Sequence, residues 1–378
     1  MSKTLLILVN NLGSLVSHRL EIVLAAKKMG YKVKVAFGEK DIDTKILIEK
    51  DIDIFHVPIN RGGVNPFKDL WYFLSLCVLL FRLKPDILHL VTIKPYLYGG
   101  IASRLVGVPC VVSAIAGLGS LFIQDDLFSR FIRKLLYPFY RIAFAHSNQC
   151  VIVQNNEDAN LLVKWGVLKP EKVKLIKGSG VNLDKFKKFA EPDDVPIICF
   201  AARLLKEKGV NDFIEAANLL CSRGVRARYW LAGKQDLENP SGLKNEDLNE
   251  ILKNDVIEFL GYQTDIVNLY AKSNIVCLPS YREGLPKSLI EAAAASRAVV
   301  TTDVPGCRDA IIPNETGLLV PTKNPKKLAD ALQLLIENSS KRIVMGKAGR
   351  RLAMRSFDIK IVVQDHLKIY HELLLNIR

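Results

Sequence analysis

The chain has 378 residues, about two and a half times the ~150 of a typical domain, so two domains of similar size are expected. Apolar residues make up 49% and charged residues 24%, a globular composition that excludes disordered and collagen-like chains. The net charge of +14 is uneven: residues 1–190 hold 27 basic and 15 acidic side chains, a balance of +12, and residues 191–378 hold 26 and 24, a balance of +2. The first half therefore suits an anionic partner: a phosphate group, a nucleic acid or an anionic membrane face.

Short apolar or β-branched runs alternate with helical patterns along the chain, as in parallel α/β units. Strands are expected at 5–9, 32–37, 54–57, 87–90, 110–115 and 150–153, with helices such as 18–29 and 98–106 between them. The apolar helix at 70–83 is expected in the core. Its uncharged run, 70–81, falls short of the ~20 residues a membrane-spanning helix needs. Residues 5–9 are too short for a signal peptide, and no cleavage site follows. The stretch 177–196, with GSG, a basic run and EPDDVP, reads as a linker. Strands resume at 197–201, 227–232, 256–260, 275–278 and 298–302, and helices run from about 325 to the end. The expected fold class is α/β, two doubly wound Rossmann-like domains facing each other across a cleft. The first would span 1–180, the linker 181–196 and the second 197–357, with a C-terminal helix at 358–378 packing back toward the first. Seven scattered cysteines without a CxxC pair read as buried free thiols of a reducing, cytoplasmic compartment.

Loops after strands are where such sheets bind ligands. Residues 278–291, LPSYREGLPKSLIE, run from a strand end through Glu283, Gly284 and Leu285 to Pro286 at the favoured first-turn position of a helix. Free N–H groups at that helix start suit a diphosphate. Glu283 can accept hydrogen bonds from sugar hydroxyls, and Glu291, about two turns on, can reach a ribose. The plainer reading leaves both acids solvated, with Glu283 favouring the helix dipole. Residues 201–209, AARLLKEKG, place Arg203 and Lys208 in a basic loop that suits an anionic leaving group, a solvated charge run being the plainer reading.

Together these segments resemble the family-4 retaining glycosyltransferases of GT-B architecture. The resemblance spans nearly the whole chain. It rests on the pair Glu283 and Glu291 inside PSxxEGLPxSLIEA, on ARLLKEKG, on GYQTD with Tyr262, and on NETGLLV. It implies a nucleotide sugar, a UDP-sugar, held by the second domain and an acceptor held by the first. No cofactor is expected, and no metal, because the two DxD triplets of the first domain read as solvated charge. Arg203 and Lys208 would bind the diphosphate, Glu283 with Gly284, Leu285 and Pro286 the donor sugar, Glu291 the ribose, and Tyr262 the base end. Glu283, Arg203 and Lys208 would be the catalytic set. TIKPYLYG (92–99), GLGS (117–120) and SHR (17–19) look like segments of bacterial members that extend glycans on undecaprenyl diphosphate, among them transferases of N-acetylgalactosamine and N-acetylglucosamine. The implied acceptor is a polyprenyl-diphosphate-linked glycan, with Gly13, His18, Arg19, Lys94, Gly117 and Gly119 on its side. Two positions depart from the family: Ala116 stands where many members carry a histidine, and Asp309 where a glutamate is usual.

Residues 121–145 mix aromatics with Arg130, Arg133, Lys134 and Arg141, a pattern suited to an anionic membrane surface. The alternative is a helix packed on the sheet with one wet face. Peripheral association with the inner face of the cell membrane is expected. The triplets Asp41-Ile42-Asp43 and Asp51-Ile52-Asp53 resemble the metal-holding DxD of another glycosyltransferase fold, but lie away from the donor segments and read as solvated charge. His56, His89 and His146 read as structural. A dehydrogenase fits poorly, since the first loop has one glycine where GxGxxG needs three. A nucleic-acid binder would leave the acid pair unexplained. A sugar-nucleotide epimerase of GT-B architecture is the alternative function.

Overall fold

A computed structural model describes residues 2–377 except 39–43, 60–64, 119–121, 123–125, 188, 238 and 240. The chain divides into two compact units, Met1–Ser179 with Lys360–Arg378, and Gly180–Ile359. The first unit holds β1 (Thr4–Leu8), β2 (Lys32–Phe37), β3 (Asp53–His56), β4 (Ile87–Val91), β5 (Cys110–Ile115), β6 (Gln149–Val153) and β7 (Val173–Leu175). The second holds β8 (Ile197–Ala201), β9 (Arg228–Ala232), β10 (Ile257–Gly261), β11 (Ile275–Leu278), β12 (Ala298–Thr302) and β13 (Gly317–Val320).

Each unit carries one parallel sheet, in the orders β3-β2-β1-β4-β5-β6-β7 and β10-β9-β8-β11-β12-β13. The inner strands are apolar on both faces because helices cover both; every residue of β4, β5 and β12 is buried. Strand order reverses at β1/β4 and at β8/β11. Loops diverge at such points, and crevices open at the carboxyl ends of the strands. Each unit is therefore a doubly wound, Rossmann-like α/β domain.

Several expectations change. β7 and β13 escape sequence reading because three or four residues, one led by a glycine, are too short to show a period. The helix expected at 18–29 is two helices, Leu12–His18 and Leu20–Lys28, broken at Arg19. The expected linker 181–196 belongs to the second unit. Val181 and Phe186 are buried in its core, the Val181 N–H donates to Phe357 O at 2.8 Å, and Arg342 pairs with Glu191 at 2.6 Å. Its Gly, Pro and charge mark an irregular backbone, while two apolar anchors fix it in place.

The helix Pro66–Leu83 buries only the face carrying Tyr72, Leu76 and Leu80; Phe67, Trp71 and Phe81 lie exposed. Of the cysteines, five are buried, Cys77 is half-buried and Cys221 is exposed. Burial pushes the Cys199 thiol up to about 12, far from a reactive thiolate. The last helix, Ile359–Leu375, lies within the first unit, where Tyr370 Oη and His89 Nδ1 hydrogen-bond at 2.6 Å. Among the described residues, no helix is long and apolar enough to cross a membrane.

Candidate functional site

In the second unit the loop after β8 makes a short turn, Lys206–Lys208, and enters the helix Val210–Ser222 through Gly209. Gly209 has φ +74°, and a Cβ there would sit 2.1 Å from Pro279 O. Only glycine lets the β8 loop lie against the loop after β11. The contact is hydrogen-bonded: Tyr281 N–H donates to Glu207 O at 2.8 Å and Ser280 Oγ to the same oxygen at 3.1 Å. This closure brings Lys208 Nζ to 2.5 Å from Glu283 Oε1, with side chains only 16% and 10% exposed. A third loop, after β12, presses in through Gly306. Its φ is +78°, and a Cβ would meet Gly284 O at 2.4 Å. Asp309 accepts the Gly306 N–H at 3.0 Å, so the acid that departs from the family pattern holds this turn.

Pro286 is the residue before the helix rather than its first residue. It is extended at φ −71°, ψ 125°, and the helix runs Lys287–Ala294. The Pro286 carbonyl is taken by Leu289 N–H at 3.2 Å and Ile290 N–H at 3.4 Å, and Leu285 is buried beneath. Glu291 lies one turn into this helix, 3.4 Å from Lys287 and 12% exposed. Burial pushes its carboxyl up, opposed by Lys287. Neither Glu283 nor Glu291 is a solvated surface acid, which removes the plainer reading of this motif.

Arg203 is half exposed and pairs with Asp236 at 2.8 Å. Tyr262 stands 70% exposed just past β10. Lys208, Glu283 and Gly284 are thus drawn together, whereas Arg203 is drawn to Asp236. Sequence reading missed Asp236, whose signal is its place in the loop after β9. It also missed Asp212, which accepts Tyr281 Oη–H at 3.1 Å under the same loop and whose carboxyl burial pushes up.

In the first unit, Gly13 is exposed in the first turn of Leu12–His18, which Asn11 caps by accepting Ser14 N–H at 2.6 Å. His18 closes that helix with Nδ1 3.0 Å from Ser179 Oγ. Arg19 does not suit acceptor contact. It is 4% exposed, and its guanidinium lies inside the unit, where burial outweighs the pull of Tyr370 and lowers its basicity. Lys94 is turned toward Asp69 at 2.6 Å, both largely buried. Gly117 follows β5 with φ +142°, and Ala116 beside it is exposed. Gly119 lies outside the described residues.

Arg130, Arg133 and Lys134 stand on the helix Leu127–Ala143, capped by Asp126, which accepts Ser129 N–H at 2.9 Å. Asp51 and Asp53 pair with Lys27 and Lys34 at 2.9 and 3.0 Å; the first DxD triplet lies outside the described residues. His56 and His146 are bonded to the backbone carbonyls of Gly38 and Val108 at 3.0 and 2.9 Å. A cavity of about 810 Å³ beside Gln149, Lys172 and Glu372 sits at the amino ends of β6 and β7. That is the opposite end from the loops that bind ligands in such sheets.

Residues 181–352 match the model of the family described as "Glycosyl transferases group 1", and residues 6–155 that described as "Glycosyl transferase 4-like". A Campylobacter jejuni protein, N,N'-diacetylbacillosaminyl-diphospho-undecaprenol alpha-1,3-N-acetylgalactosaminyltransferase, is 31% identical over 97% of both chains. The chain belongs to the group 1 glycosyltransferases. An Escherichia coli relative, UDP-Gal:alpha-D-GlcNAc-diphosphoundecaprenol alpha-1,3-galactosyltransferase, is 26% identical over 87% of this chain and 86% of its own. Among solved structures, Anabaena Alr3699/HepE in complex with UDP and glucose superposes with a TM-score of 0.77 at 17% identity, covering 97% of this chain and 99% of its own. A glycosyltransferase from Rickettsia africae does so with 0.76 at 21% identity and 99% coverage of both. The Campylobacter, Escherichia and Rickettsia proteins are all glycosyltransferases, which gives the epimerase alternative no support.

Proposed function

We propose that this glycosyltransferase moves an N-acetylhexosamine, with retention, from UDP-GalNAc or UDP-GlcNAc onto a polyprenyl-diphosphate-linked saccharide in bacterial surface-glycan assembly. Such assembly would build O-antigen, capsule or a glycoprotein oligosaccharide, at the cytoplasmic face of the cell membrane. The observation that carries the reading is the desolvated Glu283–Lys208 pair at the β8/β11 switch point, in a chain 31% identical along 97% of its length to a transferase onto an undecaprenol-linked sugar.

The chemistry follows from charge. As the bond from the sugar to UDP breaks, negative charge builds on the leaving diphosphate, and fixed cations count most in that state. Lys208 supplies one, already oriented by Glu283. Arg203 supplies a second once a phosphate competes with Asp236 for its guanidinium. Glu283 then accepts from donor-sugar hydroxyls, and Glu291 from the ribose. The cations do the work that a metal would otherwise do, so no metal is assigned.

The test incubates the full chain with a panel of UDP-sugars and a polyprenyl-diphosphate-linked sugar, with and without EDTA, and reads products by mass. A gain of one N-acetylhexosamine, unchanged by EDTA, is expected. Glu283→Gln should slow it roughly tenfold to a hundredfold, since a charge-assisted hydrogen bond contributes about 1.5–3 kcal/mol. A donor epimerised without transfer would establish the alternative. A strict divalent-metal requirement would remove the cation-only account.

A further inference from the structure

The helix Pro66–Leu83 has an unexplained side. Phe67, Leu70, Trp71, Leu74, Val78 and Phe81 recur every three or four residues, and each is 48–85% exposed. Opposite them, Tyr72, Leu76 and Leu80 are buried. A helix apolar all round belongs inside a core, yet this one covers the sheet with one face and leaves the other in water. The helix packs beside Ile93–Val106, whose Leu105 is 71% exposed, and that helix packs beside Leu127–Ala143. There Leu127, Phe131, Leu135 and Ile142 form a second stripe, each 43–84% exposed. Three adjacent helices thus present large apolar side chains outward, more than a monomer in water normally exposes in one area.

Charge identifies the occupant. The three helices hold eight basic side chains and a single acid, Asp69, which is buried against Lys94, giving a balance of +7, half the excess of the whole chain. Two copies of such a face repel each other, whereas an anionic leaflet attracts it. We infer that the three-helix face of the first unit lies flat in the headgroup region of an anionic membrane, with the Pro66–Leu83 stripe inserted among the acyl chains. The cations of Leu127–Ala143 would grip the headgroups. This deepens the proposed membrane association, on which it rests, by assigning the insertion to a helix that carries little charge. Because no described helix can cross a membrane, the face rests in the interface.

Trp71 reports on this face directly. It is 64% exposed, whereas Trp230 is 9% exposed and Trp165 is half-buried against Phe122 and Tyr140. The experiment mixes the full chain with phosphatidylglycerol/phosphatidylcholine vesicles whose acyl chains carry bromine, and records tryptophan emission beside flotation. A blue shift and bromine quenching are expected, both absent in Trp71→Phe. Leu74→Gln with Val78→Gln should weaken vesicle affinity roughly tenfold or more, because binding scales with buried apolar area. UDP affinity should not change. Flotation with Trp71 emission unshifted and unquenched would overturn insertion while leaving a purely electrostatic membrane association standing. No flotation at all would overturn both. A concentration-dependent dimer dissolved by the double substitution would assign the face to a second copy instead, and would equally overturn the proposal.

Discussion

Glu283 and Lys208 hold each other at 2.5 Å with nine-tenths and five-sixths of their side chains out of water, so neither charge is tolerable alone. Removing one partner of such a pair costs about 3–5 kcal/mol, because the remaining ion stays buried and uncompensated. Lys208→Met and Glu283→Gln should therefore each lower the unfolding free energy, and the double variant should lose less than their sum. A coupling of about 1–3 kcal/mol is expected from urea unfolding of the three variants. Additive losses would show that the two charges act independently. In the ligand-free state this pair is a structural bond. In the proposed reaction each side chain turns to a hydroxyl or a phosphate of similar charge preference, so the site is pre-organised at no added cost of burial. Arg203 differs: half exposed and paired with Asp236, it is the more solvated of the two cations.

At the scale of elements, the site exists because three loops touch, and two glycines permit the touching. Gly209 and Gly306 have positive φ, and a Cβ on either would strike a neighbouring loop's carbonyl oxygen at 2.1 or 2.4 Å. Gly209→Ala and Gly306→Ala should each lower thermal stability by about 1–3 kcal/mol and weaken UDP binding, since the loops must part. Gly13→Ala is the control. It lies in the first turn of a helix, and its new methyl would meet nothing closer than Asn11 Oδ1 at 3.4 Å. There the change should be neutral or stabilising by up to about 1 kcal/mol. Equal losses at all three positions, read as shifts in melting temperature, would detach the glycine argument from loop contact. Strand positions and the helix after Pro286 were readable within a residue or so, because apolar runs bounded by Gly and Pro announce them. The short edge strands β7 and β13 were not, and nor was the break at Arg19, which no Pro or Gly announces.

At the scale of the whole molecule, the last helix returns across the intervening second unit, Gly180–Ile359, to complete the first unit, and what it completes is polar. His366 and His89 stack at 5.6 Å within the core, beside Tyr370 and the buried Arg19. Burial holds both imidazoles neutral; Arg19 adds to the effect at both and His366 adds to it at His89, while the Val362 carbonyl opposes it at His366, which is pushed down to about 3. An unfolded histidine takes a proton near pH 6.5. Below that pH the unfolded chain binds protons that the folded chain refuses, so stability falls as pH drops from ~6.5 toward ~3. Thermal unfolding followed across that range should show a steep acid loss, flattened in His366→Leu. Parallel curves for the two proteins would place the acid sensitivity elsewhere.

What the sequence determined by itself was local. Alternating apolar runs specify parallel α/β units, charge counts specify a basic first half, and the motifs around Arg203, Lys208, Glu283 and Glu291 carry the resemblance to the glycosyltransferases, because such patterns survive in one dimension. What only the tertiary structure decided was which of those residues meet and which face water. Residues 181–196 look like a linker until Val181 and Phe186 find a core. Arg19 looks like a surface cation until the final helix closes over it. The helix Pro66–Leu83 looks like core until the sheet beneath proves to cover one face of it. Burial depends on neighbours that arrive from distant sequence, and composition alone does not carry that information.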